Sequence, residues 1–318
     1  MSLHKPKFWD FRKPNFLAYL LLPLTLLIKA NIFFSKLYPK KKFKKIKTIC
    51  VGNIYLGGTG KTPTTLKLYQ LLKDMDYNVV NAKKYYFEQN DEYILLKNKS
   101  NVISLKNRDE IIKHAIEKCY ELVIFDDGLQ DKKINYDLKF VCFDSKNWIG
   151  NGLLIPSGPL REEISSLRKY DGVFLKITNA NIDLNKIKIV IKDINPKIEV
   201  FDTYVEIKNI ERLSLSDKYL IFSGIGNSES FKEILKNNNF NIIDEKIFAD
   251  HYDYKNQDIQ KILEIAKYKN LKILTTEKDY IKIPDDLKSK INFVEIDLKI
   301  PKKDKLIKFI KSKIDERN

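Results

Sequence analysis

Residues 47–63 read KTICVGNIYLGGTGKTP. Its first eight residues are apolar and β-branched enough to form a buried strand, and three glycines then precede Lys61 and Thr62. Pro63 suits the first turn of a helix, because its missing N–H costs nothing there. Strand, glycine-rich loop, Lys-Thr and helix is the order found in a phosphate-binding loop. The stretch therefore predicts an α/β fold with a mostly parallel sheet of the P-loop NTPase type.

The loop departs from the usual spelling G-x-x-x-x-G-K-[ST], because Tyr55 stands where the first glycine is expected. The alternative is a glycine-rich turn that precedes a lysine by chance, but GGTGKT directly after a strand is more typical of a nucleotide site. Backbone N–H groups would hold the phosphate oxygens, Lys61 would pair with the β- and γ-phosphates, and Thr62 would ligate Mg²⁺. The residues predicted to bind nucleotide here are Gly57, Gly58, Thr59, Gly60, Lys61 and Thr62.

A second apolar segment, residues 121–130 (ELVIFDDGLQ), ends in two carboxylates and a glycine. Alone, Asp-Asp-Gly is more often a turn. After a phosphate-binding loop in an α/β pattern, acidic residues at the end of a strand are typical of a Mg²⁺ site. Adjacent strand residues point to opposite faces, so we expect one of Asp126 and Asp127 near the metal and the other in a neighbouring hydrogen bond. Which of the two does which stays open.

Strand and helix signals alternate along the chain, which predicts helices on both faces of the sheet. Residues 198–213 are strand-like and precede a fresh α/β unit, KYLIFSGIGNSESFKEIL. We read them as the connection to a smaller C-terminal domain. The predicted domains are an N-terminal helix with its basic flank (1–45), a P-loop domain (46–205) and a smaller α/β domain (206–318).

The apolar run 16–28, FLAYLLLPLTLLI, carries no charge and has basic residues on both sides, including PKKKFKKIK at 39–47. Thirteen residues are fewer than the ~17–25 needed to span a bilayer. Each cation beside an anionic leaflet contributes about 1 kcal/mol. We expect a membrane-associated helix, inserted in or just across the cytoplasmic face. The alternative is a buried core helix followed by a solvated charge run.

The formal net charge of +16 indicates an anionic partner but does not name one. Only six of the 58 basic residues are Arg, and the lysines are spread over every segment. Bidentate reading of bases and phosphates usually relies on Arg, so we expect no nucleic-acid partner. Three scattered cysteines without C-x-x-C spacing indicate buried free thiols and neither zinc nor disulfides.

Three further motifs complete the picture: GNGLLIPSGPLRE at 150–162, FADHYDY at 248–254 and LTTEKD at 274–279. Together with VGNIYLGGTGKTP and DDGLQ, they make the chain resemble the tetraacyldisaccharide 4'-kinase (lipid A 4'-kinase) family over nearly its whole length. That family lacks the same loop glycine. The resemblance implies transfer of the γ-phosphoryl group from ATP, with Mg²⁺, to the 4'-hydroxyl of an acylated disaccharide phosphate, the lipid A precursor. It also implies the cytoplasmic face of the bacterial inner membrane, and no obligate protein partner.

The resemblance further implies a catalytic Asp–His dyad, formed by Asp91 in NDEYILL (90–96) and His251. Either Asp91 orients His251, which takes the acceptor's proton, or Asp91 takes it directly. Without the resemblance, Asp91 would be read as a solvated helix start and His251 as a structural loop residue. The predicted domain limits place Asp91 in the P-loop domain and His251 in the smaller one.

Arg161 is a further candidate for contact with a phosphate, and Glu162 is a candidate for the outer coordination shell of the metal. Gln130 is expected to lie near the nucleotide. The structural alternative for Arg161 and Glu162 is a salt bridge within the loop. For Gln130 it is the capping of a turn. The chain departs from the family at Lys83, where an Arg is usual, and at Tyr252, where a second His is usual. Two alternatives remain. One is a membrane-tethered P-loop ATPase with a different acceptor, which needs neither member of the dyad. The other is a basic nucleic-acid-binding protein, whose binding would fall steeply with salt and would not depend on Lys61.

Overall fold

The computed structural model describes residues 5–35, 38–86, 90–178 and 182–315. The described residues form two compact units, a larger one with residues 5–35, 38–85, 99–178, 182–204 and 300–315, and a smaller one with residues 86, 90–98 and 205–299. The change of unit lies at residue 205, and the units are not continuous in sequence. Residues 90–98 belong to the smaller unit. The C-terminal segment belongs to the larger one, where Phe309 packs against Phe140 and Phe201.

Strands and helices alternate over most of the chain. The strands are β1 (Lys47–Gly52), β2 (Val79–Lys84), β3 (Val102–Leu105), β4 (Leu122–Asp126), β5 (Leu138–Asp144), β6 (Gly172–Lys176), β7 (Glu199–Ile207), β8 (Lys218–Ser223), β9 (Asn241–Ile247), β10 (Lys272–Thr276), β11 (Asn292–Val294) and β12 (Ile296–Lys299). The helices are α1 (Phe16–Leu20), α2 (Leu22–Ser35), α3 (Lys61–Lys73), α4 (Asn90–Lys99), α5 (Arg108–Glu117), α6 (Leu184–Ile194), α7 (Ser228–Asn237), α8 (Asn256–Tyr268), α9 (Glu277–Tyr280), α10 (Asp285–Lys288) and α11 (Lys303–Asp315).

The larger unit is built on a parallel sheet with the strand order β7-β6-β5-β1-β4-β2-β3. The strand β1 lies between β4 and β5, with Cys50 opposite Phe125 and Val51 opposite Phe140. Neighbouring parallel strands end at the same edge, so the loop after β1 comes close to Asp126 at the end of β4 and to Asp127 directly after it. The predicted mostly parallel α/β sheet is confirmed.

The central strands are buried on both faces, which explains their uninterrupted apolar sequences. Ile49, Cys50 and Val51 in β1 are fully buried, and α3 packs Leu68 and Leu72 against this layer. Cys50 and Cys142 are buried free thiols, as expected. Cys119 is exposed, because it lies in the turn that follows α5. The expectation of a third buried thiol was wrong.

The N-terminal apolar run forms two short helices, α1 and α2, which meet at Leu21 shortly before Pro23. Most of its apolar side chains are exposed, including Phe16 at 78% and Leu27 at 70%. The structure therefore does not support the alternative of a buried core helix. Among the described residues, no single helix has the length and apolar character needed to cross a bilayer.

The smaller unit contains a four-stranded parallel sheet with the order β11-β10-β8-β9. Phe222 in β8 lies opposite Thr275 in β10, and Ser223 lies opposite Ile247 at the end of β9. The FADHYDY loop follows β9, and the LTTEKD motif runs from β10 into α9. Both motifs thus lie at the carboxyl edge of this sheet, where ligand sites of α/β folds occur.

Candidate active site

The phosphate-binding loop of the larger unit leads from β1 into α3. Gly57 (φ +139°) and Gly60 (φ +87°) adopt backbone conformations that residues with a Cβ rarely reach. Gly60 is the N-cap of α3 and has no side chain to satisfy the first N–H groups of the helix. The Asn53 side chain donates a hydrogen bond of 3.1 Å to the Gly57 carbonyl and braces the loop. The result is an open helix N-terminus of the kind that binds phosphate.

Tyr55, the residue in place of the usual glycine, is buried. Its ring packs with Leu154 and Leu160. Its hydroxyl donates a hydrogen bond to the Asp10 carboxylate and accepts one of 2.9 Å from Nζ of Lys5. Burial and the hydrogen bond to Asp10 raise the pKa of Tyr55 far above its ordinary value. Tyr55 therefore ties the phosphate-binding loop to the N-terminal segment.

Thr62 and Asp126 are joined at the carboxyl edge of the sheet. The Thr62 hydroxyl donates a hydrogen bond of 2.9 Å to Oδ2 of Asp126. Nζ of Lys83 lies 3.2 Å from the same oxygen, and this ion pair is almost completely buried. The other carboxylate oxygen of Asp126, Oδ1, is buried and has no hydrogen-bond partner among the described residues.

Thr62 and Asp126 fit a magnesium ion as its ligands. A hydroxyl and a carboxylate with one uncommitted oxygen are the hard ligands that Mg²⁺ takes together with nucleotide phosphates and water. The described residues contain no group of three His, Cys, Asp or Glu side chains that could hold a metal ion by themselves. A P-loop site needs no such group, because phosphate oxygens complete the coordination. Thr62 and Asp126 are thus the best placed of the predicted ligands.

Asp127 has different partners from Asp126. Its carboxylate lies 3.8 Å from Nζ of Lys61 and 3.3 Å from Arg161. Burial opposes its ionisation, but Lys61, Arg161 and Lys83 outweigh that effect and hold the pKa of Asp127 below its ordinary value. Its backbone is left-handed (φ +63°), and Arg108 donates a hydrogen bond to its carbonyl. We therefore see Asp127 as the partner of the two cations, while its predicted contact with the metal stays a prediction.

Gln130, which is partly buried, and Glu162, which is buried, form a polar cluster next to these residues. The Gln130 amide donates to the Asn53 carbonyl (2.9 Å) and to Oε1 of Glu162 (3.0 Å). Glu162 also accepts hydrogen bonds from Tyr170 and Lys169. These hydrogen bonds link the segment that follows β1 to the 150–162 loop. The predicted roles of Gln130 at the nucleotide and of Glu162 near the metal stay predictions.

Sequence reasoning missed three residues of this edge. Asp144 and Lys176 end the neighbouring strands β5 and β6 and form a buried ion pair of 2.7 Å. A Cβ on Gly60 would lie 3.6 Å from Cδ of Lys176, so this side chain lines the loop. Arg108, at the start of α5, holds Asp127 and Asp131. The available signal for Asp144 and Lys176 was a charged residue at the end of an apolar strand. For Arg108 it was the scarcity of Arg in the sequence.

The smaller unit brings Asp91 and His251 together. Nδ1 of His251 lies 3.0 and 3.1 Å from the two carboxylate oxygens of Asp91. Asp91 comes from the first turn of α4 and is buried, and His251 comes from the loop after β9 with a left-handed backbone (φ +59°). The expected division of the pair between two domains was wrong, because α4 belongs to the smaller unit. The reading of Asp91 as a solvated helix start does not hold either.

Cations surround the carboxylate of Asp91. Nζ of Lys278 lies 3.5 Å and Nζ of Lys282 lies 3.8 Å from its Oδ2. Burial opposes ionisation, but the hydrogen bond with His251 and the charges of the two lysines hold the pKa of Asp91 below its ordinary value. Asp91 is therefore ionised at neutral pH. In the neutral form of the imidazole, a hydrogen bond to this ionised carboxylate requires the ring proton on Nδ1, which leaves the Nε2 lone pair available.

Tyr252, which replaces the family's second histidine, faces the start of α8. Its hydroxyl donates a hydrogen bond of 3.1 Å to Oδ2 of Asp258, and its ring lies against Phe248 and Tyr254. The hydrogen bond to Asp258, followed by burial, raises the pKa of Tyr252. Position 252 is therefore structural in this chain.

Comparison with known proteins agrees with these observations. Residues 17–315 match the protein family described as tetraacyldisaccharide-1-P 4'-kinase. A tetraacyldisaccharide 4'-kinase of Pelagibacter ubique (strain HTCC1062) is 44% identical over 321 residues, with both chains covered completely. The kinase of the same name from Rickettsia akari (strain Hartford) is 36% identical, with 96% of each chain covered.

Among solved structures, the fold is similar to a crystal structure described as the "apo" form of LpxK from Aquifex aeolicus in complex with ATP. The TM-score is 0.69 at 24% identity, covering 93% of this chain and 99% of the other. This likeness supports the fold, and the sequence matches carry the assignment. The chain belongs to the tetraacyldisaccharide 4'-kinase family.

Proposed function

We propose that this protein transfers the γ-phosphoryl group of ATP to the 4'-hydroxyl of a tetraacylated glucosamine disaccharide 1-phosphate, the lipid A precursor. The observation that carries the proposal is the family match over residues 17–315. The phosphate-binding loop, with its open helix N-terminus, supports the ATP part independently of any relative.

On the donor side, the backbone of residues 57–62 holds the phosphates and Lys61 neutralises charge at the transferred group. Arg161, a planar cation beside Lys61's partner Asp127, is available for a second phosphate contact. Mg²⁺ held by Thr62 and Asp126 would neutralise the charge that develops on the phosphate oxygens. Stabilising that charge is the main task in phosphoryl transfer, because the protein does little covalent chemistry.

On the acceptor side, the sugar hydroxyl must lose its proton as it attacks phosphorus. The hydrogen bond between His251 and Asp91 presents Nε2 as the acceptor of that proton. The ionised Asp91 then stabilises the imidazolium that forms. This geometry favours His251 as the general base and Asp91 as the group that orients it.

We further propose that the N-terminal helices α1 and α2 hold the protein on the cytoplasmic face of the bacterial inner membrane. The exposed apolar side chains of this segment and its basic flanks support the proposal. An apolar face beside lysines is the pattern of helices that lie in a membrane interface. An acylated acceptor stays in the membrane, so such a position brings its sugar to the enzyme.

The test is transfer of labelled phosphate from ATP to a precursor that lacks the 4'-phosphate, presented in detergent micelles. We expect a labelled disaccharide bisphosphate whose formation requires Mg²⁺. Hydrolysis of ATP without transfer, by correctly folded protein, would favour an ATPase with a different acceptor. Salt-sensitive binding to nucleic acid that ignores Lys61 would favour a nucleic-acid-binding protein.

A further inference from the structure

Lys278, from the LTTEKD motif, lies between three carboxylates in the smaller unit. Its Nζ is 3.3 Å from Glu92, 3.3 Å from Asp250 and 3.5 Å from Asp91. The side chain is only 16% exposed. Burial opposes its charge, but Glu92, Asp250 and Asp91 outweigh that effect and raise the pKa of Lys278 above its ordinary value. The lysine is therefore a permanent cation at physiological pH.

The same three carboxylates face His251. Asp91 contacts its Nδ1, while Glu92 and Asp250 each lie 3.8 Å from its Nε2. Lys282 is a second cation at Oδ2 of Asp91, the oxygen that Lys278 also approaches, and it is itself paired with Asp279 at 2.9 Å. Among the described residues, these are the charged groups near the imidazole, and they come from α4, from the FADHYDY loop, from α9 and, for Lys282, from the segment after α9.

The balance of charges around His251 affects how readily its ring accepts a proton. Three carboxylates around one imidazole favour the imidazolium strongly, and an imidazolium cannot accept a proton. A cation that touches all three carboxylates offsets their effect on the ring. Of the two lysines, only Lys278 contacts the two carboxylates that face Nε2, the nitrogen that would take the proton.

We propose that Lys278 is a positioning residue that sets the proton affinity of His251. It does so by offsetting the negative charges of Asp91, Glu92 and Asp250. This proposal rests on the proposed role of His251 as the base. It assigns to Lys278 a function that acts through the carboxylates it contacts. A purely structural salt bridge would stabilise the fold without moving the titration of His251.

The experiment is an NMR titration of the histidine Cε1–H resonances in the full-length protein, variant against wild type. In Lys278→Met, we expect the midpoint of the His251 titration to rise by about one pH unit. In Glu92→Gln, which removes a carboxylate near Nε2, we expect it to fall. Lys278→Arg keeps the charge and should leave the midpoint in place. His114, half-exposed on α5, serves as the internal reference.

Activity is measured in parallel. The acid limb of the pH–kcat profile should move with the midpoint, so that Lys278→Met loses activity at neutral pH and regains it at higher pH. Thermal unfolding identifies a variant that fails to fold, and the Lys278→Met/Glu92→Gln double variant restores the charge balance in that case. An unmoved His251 midpoint in folded Lys278→Met overturns the proposal. A moved midpoint together with full activity of His251→Ala would keep the charge relationship and instead refute His251 as the base.

Discussion

Thr62 and Asp126 share a hydrogen bond of 2.9 Å, although 64 residues separate them in the sequence. The bond joins the first turn of α3 to the end of β4, so the phosphate-binding loop and the acidic pair act as one structure. It leaves Oδ1 of Asp126 without a hydrogen-bond partner among the described residues, so this oxygen is available to a metal ion.

Thr62→Ala should lower phosphate transfer by about 100-fold, because it removes both the hydroxyl ligand of the metal and the partner of Asp126. Thr62→Ser keeps the hydroxyl and should retain most of the activity. Initial rates of labelled-phosphate transfer at saturating ATP, with Mg²⁺ varied, test this expectation. Equal rates in the Ala and Ser variants would contradict the assignment of Thr62 to the metal.

Lys83→Met should destabilise the protein by about 3 kcal/mol, because it leaves the buried Asp126 carboxylate without its cation. Lys83→Met/Asp126→Asn removes both charges and should recover much of that loss. Urea unfolding of the two variants and the wild type measures the difference. If the single and double variants unfold at the same urea concentration, the pair is not the source of the stability.

Asp91→Asn should be less stable than the wild type at neutral pH, and the difference should shrink in acid. The folded protein holds the pKa of Asp91 below its ordinary value of 3.8, so the ionised group stabilises the fold above that pH. The contribution is lost as the pH falls through the lower folded-state value. Unfolding free energies at pH 7, 5 and 3 test the trend. Asp285→Asn, at an exposed ion pair, is the control and should show almost no difference at any of them.

Tyr55→Gly restores the usual spelling of the phosphate-binding loop, yet it should destabilise the protein by about 3–5 kcal/mol. The ring fills a cluster with Leu154 and Leu160, and nothing replaces it. Tyr55→Phe keeps the ring and loses only the hydroxyl, at a cost of about 1 kcal/mol. Thermal unfolding of the two variants separates the effect of the lost ring from the effect of the lost hydrogen bond. A Gly variant as stable as the wild type would show that the ring contributes nothing.

The Leu20→Asp/Leu27→Asp double variant should bind anionic vesicles at least about 10-fold more weakly than the wild type, because two exposed apolar side chains lose their place in the bilayer. Co-sedimentation with vesicles that contain an acidic phospholipid measures the binding. Ile189→Asp, at an exposed apolar residue of α6, is the matched control and should bind normally. Equal binding of all three proteins would remove α1 and α2 from the proposed membrane surface.

The local patterns were enough to predict the sheet and the phosphate-binding loop, because strand, glycines and Lys61 follow one another directly in the sequence. Asp91 and His251 were predicted only through a family resemblance, since 160 residues separate them and neither lies in a distinctive local pattern. The assignment of α4 to the smaller unit could not be predicted. It depends on long-range packing, and residues 86–98 lie in sequence between two strands of the larger sheet.

The tie between Tyr55 and Asp10 has a practical consequence for anyone who wants a more soluble form of this enzyme. Shortening the chain from its amino terminus to remove the apolar helices would also take away Lys5 and Asp10. It would further remove Trp9, whose indole N–H donates to the Pro156 carbonyl at 2.9 Å. Such a truncation would leave a buried phenol without its partners beneath the nucleotide loop. Replacing exposed leucines one at a time preserves those anchors and is the safer route.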